Sequence, residues 1–216
     1  VEPYILPLIL LAICATAGYF WGRKKNRWIG AWIAQESEAA LQPTETEYVN
    51  IGGCIGYHFT YGLTAPFREA KGTFTLLPRH SILYFPISLL IRKHDRLFLQ
   101  LFTDARLPGE AHILREDYHR TDPGRITGVE TMRQERAEMG GQAYMLLWRH
   151  PGQDARLRRL LRSLEGHGEG LRHFCCYPGN RNFYLYIVPV HGRLEPLLRA
   201  AAGELKSWLE SGGDDG

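Results

Sequence analysis

PYILPLILLAICATAGYFWG, residues 3–22, holds no charged side chain, and Arg23, Lys24, Lys25 and Arg27 follow it almost at once. Twenty residues of α-helix rise about 30 Å, the thickness of a bilayer's hydrocarbon core. Tyr19 and Trp21 stand near its end, where amphipathic rings favour the lipid–water boundary. Glu2 is the one charge before the run. A cleaved signal peptide has the reverse order, with cations first and a small-residue cleavage site after. The stretch therefore reads as a transmembrane anchor which, with its basic flank, occupies residues 1–25. Cations stay on the cytoplasmic side of a membrane, so the N-terminus is expected outside and the remainder of the chain in the cytoplasm.

That remainder reads as one α+β domain over residues 26–210, with 211–216 as a disordered tail. Hydrophobic residues make up 44% of the chain and charged ones 23%, which excludes a disordered protein. The net charge of +3 is too small to argue by itself for nucleic acid. Cys14 lies in the apolar run, Cys54 stands alone, and the neighbours Cys175 and Cys176 would point to opposite faces of a strand. The pattern is no disulfide framework and suits a reducing compartment.

Along the domain, residues 26–42 carry Trp28, Ile29, Trp32 and Ile33 at helical spacing. Their two tryptophans either touch lipid or a partner at the headgroup layer, or pack on the domain. Alternation predicts strands at 53–62 and 69–77. Residues 81–92, SILYFPISLLIR, are too short to span a bilayer. They read as a kinked helix of the core, or as an apolar surface that inserts at the membrane or a partner. Strands follow at 96–103, 125–134 and 142–149, the last two parted by Gly140-Gly141. A helix at 153–165 buries Leu157, Leu160, Leu161 and Leu164. A hairpin spans 171–177 and 182–190 around Pro178-Gly179-Asn180, and a helix at 193–210 closes the chain. The expected result is a mostly antiparallel sheet with packed helices.

Catalytic signatures are missing: no phosphate-binding glycine loop, no HExxH, no GxSxG. Glu116, Asp117 and His119 read as a polar loop before Asp122-Pro123-Gly124. His173, Cys175 and Cys176 read as a strand with buried thiols rather than a nucleophile. No metal, no cofactor and no catalytic residue is expected. Arg156, Arg158, Arg159 and Arg162 are the candidate phosphate-binding group, because guanidinium groups match phosphate oxygens in pairs. The alternative is a solvated helix face. Arg23, Lys24, Lys25, Arg27, Trp28 and Trp32 are the candidate contacts for membrane or partner.

The junction Gly22-Arg-Lys-Lys-Asn26, leading into a helix with Ala31-Trp32, resembles the calumin family, the coiled-coil subunit of the PAT intramembrane chaperone complex. There a similar Gly-Lys-Asn-Lys-Asn stretch precedes a helix bearing Ala-Trp. The likeness runs in order through the apolar helix 81–92, the strand 96–103, the hairpin 171–190 and the helix from Leu194 to Leu209, covering residues 8–210. Calumin also has a long acidic luminal region before its anchor and a long Lys/Glu-rich coiled coil at its end. This sequence has neither, so luminal calcium buffering is not implied, and it is similar to a minimal, archaeal form. The resemblance implies a non-enzymatic factor for insertion and chaperoning of multi-spanning membrane proteins. Its partners would be a small multi-spanning Asterix-like protein, the Sec translocon, the ribosome through its RNA, and nascent membrane proteins. The membrane would be the plasma membrane in an archaeon and the endoplasmic reticulum in a eukaryote. The rivals are a membrane-tethered enzyme and an anchoring subunit of another complex.

Overall fold

A computed structural model describes residues 4–121, 126 and 128–210. The expected tail at 211–216 and the turn at Asp122-Pro123-Gly124 lie outside the described residues, as does part of the strand expected at 125–134.

The apolar run and the helix after it are a single element. α1, Ile5–Leu41, continues without a break across the basic cluster and is about 55 Å long. Pro7 falls in its first turn, where a missing N–H costs nothing. Gln42 ends it in a left-handed conformation, φ 48°, and Pro43 prevents continuation. The helix has two environments. Nearly all of its side chains before Gly22 are exposed, whereas Ile29, Trp32 and Ile33 are buried. It is the one described helix long and apolar enough to cross a membrane.

β1 (Glu45–Asn50), β2 (Gly56–Gly62), β3 (Phe67–Thr75), α2 (Tyr84–Ile91), β4 (Arg96–Thr103), β5 (Ala111–Arg115), α3 (Glu116–Thr121), β6 (Arg133–Met139), β7 (Gln142–Trp148), α4 (Gln153–Ser163), β8 (Leu171–Tyr177), β9 (Asn182–Ile187) and α5 (Leu194–Glu210) follow in turn. The strands form one nine-stranded antiparallel sheet in the order β1-β2-β3-β4-β9-β8-β5-β7-β6. The protein is α+β, as the sequence implies.

Register explains the layers. Phe59, Gly72, Leu99, Leu185, Phe174, Ile113 and Leu146 lie opposite one another across the sheet and so share a face. The second half of α1, α5 and α4 cover that face side by side, and Trp208 of α5 meets Phe174 and Phe183 edge-on. Gly72 is required there, because a Cβ would fall 2.0 Å from the Phe59 ring. On the other face, α3 and the turn at Val129–Thr131 cover the β5–β7 end over Leu114, Ile126, Met132 and Leu147.

The sequence expectations miss β1, β5 and α3, and they start the sixth strand too early. β1 is an edge strand whose six side chains are all exposed, so no burial alternates along it. β5 is five residues long and buried on both faces. Val129–Thr131 is a 3-10 turn, and the strand begins at Arg133. The loop expected at Glu116 is the short helix α3.

α1 and α5 are joined by a carboxylate. Glu36 accepts the backbone N–H groups of Gly192 (2.7 Å), Leu194 (3.1 Å) and Glu195 (3.2 Å), which caps the N-terminus of α5. Arg199 donates back to the Ala39 carbonyl at 3.0 Å. Glu36→Ala is therefore expected to lower stability by about 1–2 kcal/mol, the cost of losing a charged cap. Denaturant unfolding of the detergent-solubilised chain measures it, and an unchanged midpoint would mean the cap carries no stability.

Candidate functional site

The segment that returns from β3 to β4 closes on α1 where its exposed half meets its buried half. Arg79 is the centre. Its guanidinium donates to Asp95 Oδ1 (2.9 Å) and Oδ2 (2.8 Å) and to Asn26 Oδ1 (3.0 Å). Asn26, 1% exposed, donates through Nδ2 to the Leu77 carbonyl at 2.8 Å. The Leu77 N–H in turn donates to Asp95 Oδ1 at 2.8 Å. Every polar atom of the Asn26 side chain is thus used, as burial demands.

Small residues make the approach possible. A Cβ on Gly22 would lie 2.1 Å from the Arg79 carbonyl oxygen, so only glycine admits the loop there. One turn toward the N-terminus, a Cβ on Gly18 would meet Ile82 Cδ1 at 2.8 Å. Two turns the other way, Gly30 faces Phe74. Tyr19 contacts His80 edge-on, with ring centroids 5.9 Å apart.

The membrane or partner candidates surround this junction. Arg23, Lys24 and Arg27 are exposed, and Lys25 sits 4.0 Å over the Trp28 ring. Trp28 is exposed. Trp32 is not available at the surface, because it is buried with its ring against Trp28 and His191. Of the two tryptophans, only Trp28 keeps an outward face.

The phosphate candidates lie on α4. Arg158 pairs with Glu135, and Arg159 with Glu204 at 3.3 Å. Arg156 is half-buried and reaches the Trp208 carbonyl at 3.5 Å. Arg162 alone of the four is exposed with no ion pair among the described residues. The sheet and α5 therefore neutralise two of the charges, which the helix periodicity by itself does not reveal.

Under α3, His173 of the thiol-bearing strand joins a buried polar cluster whose other members, Glu110, His112 and Arg149, the sequence did not mark. His112 Nδ1 is 3.2 Å from His173 Nε2, and His112 Nε2 is 3.2 Å from Glu110 Oε1. Arg149 Nε donates to the other Glu110 oxygen at 2.9 Å. Burial opposes the charge on Glu110, but hydrogen bonds from Arg149 and His112 hold its carboxyl below the usual range. Burial pushes the His112 imidazole down, against the pull of Glu110. An ionised Glu110 then fixes the tautomer: Nε2–H donates to Glu110 and Nδ1 accepts from His173. Burial drives the Cys175 thiol up, and the Cys176 thiol up to about 12. Both stay protonated and unreactive, as buried thiols do. The side chain of His119 lies outside the described residues. No group of three or more His, Cys, Asp or Glu among the described residues is placed to hold a metal.

No known family model matches the chain, and no curated protein does. The class it defines is an α+β protein whose first helix is long and apolar enough to cross a membrane, with a polar clamp at the end of the apolar stretch. Asn26, Arg79 and Asp95 escaped the sequence reading. The signal that marks them is Gly18, Gly22, Asn26 and Gly30 at four-residue spacing, a face on which another segment can come close.

Two expectations follow. Asp95→Ala leaves Arg79 half-buried without its counter-ion and is expected to cost about 3–5 kcal/mol, whereas Asn26→Ala costs about 1–3 kcal/mol. Equal, small losses by denaturant unfolding would refute the clamp. Separately, Glu110 and His112 both bind protons less readily when folded. They stabilise the fold fully above the ordinary imidazole range, and that contribution is lost as pH falls through that range and on through the carboxylate range. His112→Phe should flatten this slope through the imidazole range; an unaltered slope there would remove His112 as its source.

Proposed function

We propose that this protein is a membrane-anchored, non-enzymatic factor of the calumin type, which assists insertion and chaperoning of multi-spanning membrane proteins. In this reading α1 crosses the bilayer, the polybasic flank keeps the domain in the cytoplasm, and the exposed half of α1 meets a small multi-spanning Asterix-like partner. The domain then works beside the Sec translocon and the ribosome. The observation that carries the reading is the unbroken helix from the apolar stretch into the core, locked at Asn26, with four cations at the change of environment. A folded domain held at the bilayer surface meets membrane partners at high effective concentration, so modest contacts suffice.

Ribosomal RNA contact falls chiefly to Arg162, since Arg158 and Arg159 already have carboxylate partners. Arg162→Glu breaks no ion pair among the described residues, and it is expected to produce most of the loss of ribosome co-sedimentation seen when Arg156, Arg158, Arg159 and Arg162 are all changed to Glu. Unaltered co-sedimentation at low salt would rule out α4 as the contact. Purification from native membranes in mild detergent tests the larger claim. Ribosome, Sec channel and a small multi-spanning protein are expected together; their joint absence, or a C-terminal reporter found outside the cytoplasm, would overturn it. A substrate-consuming activity in the purified chain would favour the membrane-tethered enzyme instead.

A further inference from the structure

The sequence allows residues 81–92 a place in the core or at an apolar surface, and the fold does not bury them. Leu83 is 82% exposed, Leu90 80% and Ile91 71%, while Tyr84, Ile87 and Leu89 are also open. Ser88 is the buried residue of α2. An eight-residue helix that is apolar on every side, with no charge from Ile82 to Ile91, has no stable place in water.

Its position says what covers it. Ile82 meets α1 at Gly18, which is one helical turn, about 6 Å, on the anchor side of Gly22. The segment thus climbs along α1 from the Arg79 clamp toward the apolar half, and α2 begins at the depth of that half. It cannot cross, because Asp95 is bonded to Arg79 and returns the chain to the clamp. Cations mark the same boundary on both arms: Arg79 before α2, Arg92 and Lys93 after it. Part of the backbone at the helix ends is satisfied internally, which hydrocarbon favours. Ser81 Oγ accepts the Tyr84 N–H at 3.3 Å, Ser88 Oγ donates to the Phe85 carbonyl at 2.7 Å, and Arg92 N–H reaches the Ser88 carbonyl at 2.7 Å. Pro86 lies in the first turn, where it leaves no bond unmade.

We infer that α2 is a second membrane element, a short helix that dips into the cytoplasmic leaflet beside α1 and is covered by lipid acyl chains. The inference rests on α1 crossing the bilayer, as proposed above. Lipid is the occupant because the exposed surface of α2 continues that of α1 at the same depth and offers a protein partner no charge to pair. Insertion of about 5–10 Å, usual for interfacial helices, would immerse Leu83, Leu90 and Ile91.

The test uses the full chain, with Cys14→Ser and Cys54→Ser, in vesicles of phosphatidylcholine and phosphatidylglycerol. An environment-sensitive fluorophore is attached in turn at Leu90→Cys, at Leu11→Cys in α1 and at Lys206→Cys on α5. Leu90 is so open that the change does not threaten the core. The Leu90 label is expected to lose most of its emission to nitroxides on lipid chains and almost none to aqueous iodide. The Lys206 label should do the opposite. A Leu90 label quenched by iodide while the Leu11 label is quenched by lipid overturns the inference and leaves the anchor intact. Iodide quenching at both positions overturns the anchor as well. A Leu90 label shielded from both quenchers means that a second copy of the chain covers α2, which also overturns the inference.

Discussion

The Arg79 guanidinium is held by two carboxylate oxygens of Asp95 and by the amide oxygen of Asn26, and this three-way contact ties the sheet to its longest helix. Each partner comes from a different segment: α1, the strand-exit loop after β3, and the approach to β4. Removing any one leaves a half-buried charge or a buried amide without a partner, so the contact is cooperative rather than decorative. Gly22 belongs to the same device, since a side chain there would hold the loop off the helix. The capped start of α5 at Glu36 secures α1 a second time, about 15 Å further along. Between these two points Ile29, Trp32 and Ile33 fill the core.

Arginine in this chain is mostly structural. Arg115 and Arg172 share Asp117, Arg149 holds Glu110, and Arg158 and Arg159 take carboxylates from β6 and α5. A composition rich in Arg therefore overstates the charge offered to an outside partner. Of the exposed cations with no ion pair among the described residues, Arg23, Lys24 and Arg27 lie on α1 at its change of environment and Arg92 and Lys93 follow α2, while Arg106, Arg133, Arg162 and Lys206 stand elsewhere on the domain. The first five share one region because the β3–β4 connection is clamped to α1 through Arg79 and Asn26.

Periodicity made much of the fold legible. The helices around Leu157 and Leu197, the strand at Leu97–Leu101 and the hairpin at Pro178 carry buried stripes that any core of this class needs. β1 stayed hidden because its pairing with β2 is made by backbone, with side chains in water. β5 stayed hidden because a short strand buried on both faces shows no alternation. The clamp was invisible for another reason. Asn26 and Arg79 are 53 residues apart, and nothing local tells a buried Asn from a polar residue beside a membrane segment. Residues 81–92 were ambiguous because apolarity alone cannot separate a core helix from one facing outward; only the neighbour at Gly18 decides it.

Because α1 runs unbroken from its apolar half into the core, and is gripped at both Asn26 and Glu36, a bilayer holding that apolar half, as proposed, would meet no swivel between itself and the domain. A spanning helix adjusts to a thicker or thinner membrane by leaning. Here the lean would be passed on undiminished: tilting the mast tilts the whole deck of strands, lowering one edge of the sheet toward the headgroups and lifting the other. Local membrane thickness would thereby set the pitch at which the domain's outer surface is presented, without any residue of the domain changing its neighbours.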